Sequence, residues 1–233
     1  MRVRQSLDWF RIGVHVLALL PLAVLIWNIT HNQLSVNPIQ DITSRTGKFA
    51  LVMLVLSLAC TPIHTLFGFK PALRVRRALG LYAFLYAGLH FLTFSVLDYG
   101  LDLTQIGDAI VEKRFVLAGF AAFLILLPMA TTSTRGWMRR LGKKWKGLHR
   151  LVYLAGVLAV AHYVWLVKSD VREPLLFGAI VATLLVARIP VVRRAAVNLR
   201  HGLRRVAARR HVTWGNYSHM ATETPRHREG SMP

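Results

Sequence analysis

Apolar residues run in blocks of roughly 17–20 along most of this chain, divided by short stretches rich in Lys and Arg. Six blocks predict six helices, at about Ile12–Ile29, Phe49–Phe67, Ala78–Leu97, Phe115–Thr131, Leu148–Val167 and Pro174–Pro190. Each is as long as a hydrocarbon core of about 30 Å requires. Pro174 suits a first helical turn, and Pro62 and Pro128 fall near span ends, where a kink is tolerated. The pattern predicts an all-α integral membrane protein, a six-helix transmembrane bundle over residues 1–190. Residues 191–233 then form a basic tail, partly disordered towards its end.

Composition agrees with that reading. The chain is 54% apolar, with a mean hydropathy of +0.42. Its formal charge of +20 would suit nucleic acid, but the cations sit between apolar blocks, where membrane topology places them. No nucleic-acid partner is expected. Of the 30 Lys and Arg residues, 24 lie on the side of Arg2, Lys70, Arg135 and the tail. Most of the acids (Asp41, Asp98, Asp102, Asp108, Glu112, Asp170, Glu173) lie on the other. Both termini are therefore expected in the cytoplasm, and the first block is expected to be an uncleaved span, since no small-x-small site follows Trp27. The tail, with Arg193, Arg194, Arg200, Arg204 and Arg205 between small apolar residues, is expected to lie on anionic lipid. Trp27, Trp145 and Trp165 fit an aromatic belt. The single Cys60 excludes a disulfide framework, a Cys zinc site and a Cys-x-x-Cys-His haem attachment.

Histidine inside a hydrocarbon slab is costly and marks a candidate functional site. His149 opens the fifth block and His162 lies 13 residues further along, about 20 Å deeper. His90 is about as deep in the third block, counted from Arg77, so His90 and His162 should stand level in the outer half of the membrane. Two imidazoles from neighbouring helices supply both axial positions of one b haem, which suits electron transfer rather than oxygen binding. On an ideal helix the 13-residue step leaves His149 and His162 roughly 140° apart, so either the fifth helix is distorted or His149 has another role. The third-block positions level with His149 are Arg76 and Arg77. His64 and His15, on the same side, are the remaining residues within reach. A second haem there, or a haem propionate, flavin or quinone at His149, are the alternatives. Arg74, Arg76, Arg77, Arg139 and Arg140 would surround such a cofactor, although topology alone accounts for them. Gly88 and Gly156 would let a macrocycle approach the backbone or would serve helix packing. His201, His211, His219 and His227 are expected to be solvated tail residues. No internal repeat is evident.

Four stretches carry a resemblance. They are Asn37–Gly47 (NPIQDITSRTG), Arg76–Tyr82 (RRALGLY) continuing to His90, Thr132–Tyr153 (TSTRGWMRRLGKKWKGLHRLVY) and Ala161–Lys168 (AHYVWLVK). Over about Ile12–Pro190 the chain resembles the haem-binding membrane subunit of the bacterial periplasmic protein-methionine-sulfoxide reductase system, part of the ferric-reductase-like transmembrane family. The resemblance implies a cytochrome b subunit of the bacterial inner membrane. It would pass electrons from membrane quinol to a periplasmic molybdopterin subunit that reduces methionine sulfoxide in oxidised proteins. It implies b haem and FMN, with haem histidines at His90, His149 and His162. Larger relatives carry paired histidines on both the third and fifth spans, and the inner one of the third span is not His here. By the same resemblance the catalytic reductase site is expected on the partner. The 43 residues after Pro190 hold no Gly-x-Gly-x-x-Gly fingerprint, so NADPH oxidation within this chain is not expected and electrons are expected from a lipid-soluble donor or a separate protein. Two other readings compete. One is a ferric or quinone reductase core fed by a separate flavoprotein. The other is a transporter or assembly protein with proton-relaying or metal-binding histidines, weakened by the scarcity of carboxylates inside the spans.

Overall fold

The computed structural model describes residues 2–167, 169–194 and 197–198. Among them every regular element is a helix: α1 (Arg2–Thr30), α2 (Pro38–Phe67), α3 (Lys70–Leu92), α4 (Leu103–Glu112), α5 (Arg114–Thr131), α6 (Arg135–Leu141), α7 (Lys143–Arg150), α8 (Val152–Leu166) and α9 (Arg172–Val186). A π-helical turn, Thr93–Asp98, extends α3. The basic tail from residue 199 onward, with its four histidines and its expected lipid contact, lies outside the described residues.

Local chemistry sets the ends of the long helices. Asn37 caps α2 by accepting the Gln40 N–H at 3.2 Å, and Pro38 occupies the first turn, where its missing N–H costs nothing. At the other end Gly68, at φ 72°, donates its N–H to the His64 carbonyl and turns the chain directly into α3. Asp102 caps α4 through the Thr104 and Gln105 N–H groups at 2.9 and 3.2 Å.

Five stretches are long and apolar enough to cross a membrane: Trp9–Thr30, Pro38–Phe67, Lys70–Asp98, Arg114–Thr131 and Lys143–Leu166. The sixth predicted span, about Pro174–Pro190, forms the 15-residue α9. At 1.5 Å per residue α9 is about 22 Å long, short of a full hydrocarbon core. The fifth predicted span is divided at Leu151, so His149 belongs to α7 and His162 to α8. Leu151 keeps right-handed helical angles (φ −61°, ψ −13°), so the turn there is a local distortion within that span.

Two antiparallel hairpins, α2–α3 and α5–α8, form the body of the bundle, with α9 against α8 and α2, and α1 against α3. Met53, Leu54, Leu79, Ala83, Leu126 and Ala155 are buried between them. The buried Tyr86 hydroxyl donates to the Ala18 carbonyl at 2.7 Å, and the Tyr82 hydroxyl meets His15 Nδ1 at 2.8 Å, so two tyrosines of α3 hold α1. The outer faces are apolar: Val16, Leu17 and Leu20 of α1, Leu117 and Leu124 of α5 and Leu154 of α8 are all exposed. Such a surface needs lipid around it.

Candidate haem site

His90 ends α3 and His162 lies in α8, and both rings are half-buried. Their centroids stand 5.9 Å apart with planes at 82°. They are the only two histidines whose rings meet among the described residues. His90 Nδ1 lies 2.9 Å from the Thr43 carbonyl of α2, and His162 Nδ1 lies 2.6 Å from the Phe115 carbonyl of α5. A carbonyl oxygen only accepts, so each Nδ1 carries a proton and donates it. In the neutral ring Nε2 then keeps its lone pair. Neither Nε2 has a hydrogen-bond partner among the described residues.

Two glycines bring the rings against these carbonyls. A Cβ at Gly47 would sit 3.0 Å from both Cε1 and Nδ1 of His90. At Gly119 it would sit 2.6 Å from His162 Nδ1 and 2.9 Å from Cε1. Gly88 faces open space, while Gly156 meets Leu58 and Val181, so Gly156 serves helix packing and not the approach of a macrocycle. Stacked phenylalanines flank the pair: Phe91 meets Phe123 at 5.1 Å and Phe120 at 5.8 Å, and Phe115 reaches the His162 ring at 6.2 Å.

His149 sits near the opposite ends of the helices. Its Nδ1 contacts the Trp145 carbonyl of its own helix at 3.2 Å, and the Trp145 ring covers its face at 3.9 Å. Trp145 is pinned in turn by its indole N–H donating to the Thr132 carbonyl at 3.1 Å, so it supports a histidine and is more than a belt residue. His149 Nε2, His64 Nδ1 and Arg188 Nε are buried side-chain atoms with no partner among the described residues. His15 is turned to Tyr82. Arg76 donates to the Thr61 hydroxyl at 3.2 Å. Arg188 donates to the Tyr153 hydroxyl at 2.7 Å and to the Leu58 carbonyl at 2.6 Å. That carbonyl lacks its helical donor because the residue four positions on is Pro62.

Residues 12–160 match the family model described as ferric reductase like transmembrane component. The heme-binding subunit MsrQ of protein-methionine-sulfoxide reductase from Xanthomonas axonopodis pv. citri is 46% identical over 182 residues, covering 76% of this chain and 84% of that protein. The MsrQ of Rhodospirillum rubrum is 46% identical over 186 residues, covering 79% and 89%. The chain belongs to the ferric-reductase-like MsrQ family. No solved structure matches it.

Among the residues of this MsrQ-family chain, His90 and His162 fit a haem iron. An imidazole nitrogen binds a metal at about 2.0–2.1 Å and its ring centroid lies roughly 1.1 Å behind, which places two opposed ligands' centroids about 6.3 Å apart. The 5.9 Å between the His90 and His162 rings is a few tenths of an ångström shorter. Metal-bound histidines commonly donate their other N–H to a carbonyl, which fixes the tautomer and raises ligand basicity. Both rings do so here. Gly47, Gly119, Trp145 and Arg188 escaped sequence reasoning. Glycine and tryptophan in a membrane helix have common packing roles, and nothing local links Gly47 to a histidine 43 positions away.

Proposed function

We propose that this chain is a membrane cytochrome b subunit that carries electrons from the quinone pool to a periplasmic molybdopterin-containing methionine sulfoxide reductase, which repairs oxidised proteins. The observation that carries the reading is the paired tautomer at His90 and His162: both Nδ1 protons are committed to carbonyls, leaving two Nε2 lone pairs on rings 5.9 Å apart. Family membership supports it, since the MsrQ relatives are named as heme-binding subunits of that reductase.

A b haem held there supplies one-electron transfer. Two imidazole ligands leave no coordination position for oxygen. Phe115 lies against the His162 ring, and the hydrogen bonds to Thr43 and Phe115 hold both rings in one orientation. In this reading the chain spans the bacterial inner membrane six times, with α9 as the short sixth span and both termini in the cytoplasm. The His90–His162 level then faces the periplasmic partner. The inner level, built on His149, takes the second cofactor, a haem or FMN, with His64 and Arg76 nearest in kind. Quinol oxidation releases electrons and protons in the ratio that reduction of a sulfoxide to thioether and water consumes.

Purified chain should show a Soret band and a reducible α band of b haem, with iron and flavin per chain giving the cofactor count. A colourless, correctly folded preparation overturns the reading. Copurification with a molybdopterin protein supports the sulfoxide reductase as acceptor. Copurification with a flavoprotein instead favours a ferric or quinone reductase core.

A further inference from the structure

His90 contacts the carbonyl 47 positions before it, and His162 contacts the carbonyl 47 positions before it. The glycine against each ring lies four residues after that carbonyl. Thr43, Gly47 and His90 therefore recur as Phe115, Gly119 and His162, each 72 positions later. The same step carries Thr46 to Ala118, Leu54 to Leu126 and Ala83 to Ala155, and all six residues are buried. The hairpins α2–α3 and α5–α8 are thus two copies of one arrangement, although a two-residue link joins the first pair and α6 and α7 join the second. Pattern reading along the chain misses this repeat because few side chains outside these positions match.

The repeated unit is a seat for an imidazole. In an α-helix the carbonyl four residues before glycine already accepts that glycine's N–H. With no Cβ in the way, a ring from the next helix reaches the same carbonyl from the side. We propose that Gly47 and Gly119 are positioning residues for the axial ligands of one haem, each letting a histidine lie on a helix backbone and donate its Nδ1 proton there. The proposal rests on the haem reading given above. The two seats are unequal. An added methyl would meet ring atoms at 2.6 Å on the Gly119 side and at 3.0 Å on the Gly47 side. Gly119→Ala must push its ring off the carbonyl, whereas Gly47→Ala asks for a shift of a few tenths of an ångström.

The test compares full-length Gly119→Ala, Gly47→Ala and Gly13→Ala by electron paramagnetic resonance of the ferric state and by potentiometric titration. Gly119→Ala should lose most of the low-spin bis-imidazole signal. Gly47→Ala should keep the signal but move its midpoint upward, because a ligand whose Nδ1–H hydrogen bond is stretched is less basic and favours ferric iron less. Gly13→Ala, in α1 with nothing within 4 Å of an added methyl, should match the parent. If Gly119→Ala yields no folded protein, Gly47→Ala decides alone. Free imidazole added to His162→Gly should restore the low-spin signal equally with and without Gly119→Ala, because an untethered ring need not press on position 119. The proposal is overturned if both seat variants match Gly13→Ala, or if imidazole rescues only the Gly119 background. Should His90→Ala and His162→Ala leave the spectrum intact, the haem reading itself fails. If those abolish it while the glycine variants do nothing, only the seat fails.

Discussion

The two ends of the bundle treat their histidines differently. At the His90–His162 level each ring has one nitrogen anchored to a neighbouring helix. At the His149 level the ring leans on its own helix, and buried nitrogens of His149, His64 and Arg188 are left without partners. Buried polar atoms without protein partners are completed by water or by a bound group. The first level is held by carbonyls of the protein, whereas the second leaves nitrogens open, which agrees with the second cofactor proposed there. The symmetry tells the same story. The step that matches His90 to His162 places Arg77 opposite His149, so the repeat that makes two equal ligands at one level gives a cation and an imidazole at the other.

The hardest test of this contrast removes the rings. His90→Ala or His162→Ala should abolish the outer haem signal altogether, since one remaining imidazole leaves the iron half-ligated. His149→Ala should leave that signal unchanged and remove or shift a second one. Redox difference spectra of the three variants read both outcomes. Loss of the outer signal in His149→Ala would mean that the two levels are one site.

Much of this was legible in the sequence, and the reasons are physical. A hydrocarbon solvent forces long apolar blocks, so five spans could be read directly. Rise per residue turns sequence position into depth, so His90 and His162 could be matched before either helix was seen. The hydrogen bonds to Thr43 and Phe115 could not, because they join residues 47 positions apart and use backbone atoms that every residue has. The division at Leu151 was equally hidden, since nothing in residues 148–153 breaks a helix by composition. Hydropathy gave α9 a longer span than it has, because the apolar pattern runs on through Ala187 and Ile189 while Arg188 turns inward to Leu58 and Tyr153.

Arg188 offers a smaller and sharper probe of the inner level. It supplies the hydrogen bond that Pro62 denies to the Leu58 carbonyl. Arg188→Ala should leave that carbonyl unpaired and cost about 1–3 kcal/mol in detergent-solubilised thermal unfolding. Pro62→Ala restores a helical N–H at the right place, so in the Arg188→Ala background it should recover part of the loss. Equal penalties with and without Pro62 would show that Arg188 acts through Tyr153 alone. Tyr86→Phe belongs to the same class and removes a buried hydroxyl bonded to Ala18. It should cost about 1 kcal/mol and loosen α1 without moving any haem signal.

The smallest effect concerns the ionic tie at the outer end. Lys48, next to Gly47, pairs with Glu173 at the start of α9 at 2.5 Å, and both side chains are about half exposed. The Lys48 ammonium holds the Glu173 carboxyl below its usual pKa, with the Tyr163 hydroxyl adding to the effect. A carboxyl whose pKa is lower in the folded chain contributes its stability fully above the unfolded value of about 4.3, and loses it as pH falls through the folded value. An exposed pair of this kind is worth less than about 1 kcal/mol. Glu173→Gln should therefore lower the melting temperature slightly at neutral pH, and by progressively less as pH falls through the folded value. Among the described residues no hydrogen bond or ring contact joins α9 to His90 or His162, so Glu173→Gln should leave the midpoint of the outer haem unchanged. A midpoint that follows Glu173 would mean that α9 shares in setting the outer seat, and that the two hairpins alone do not build it.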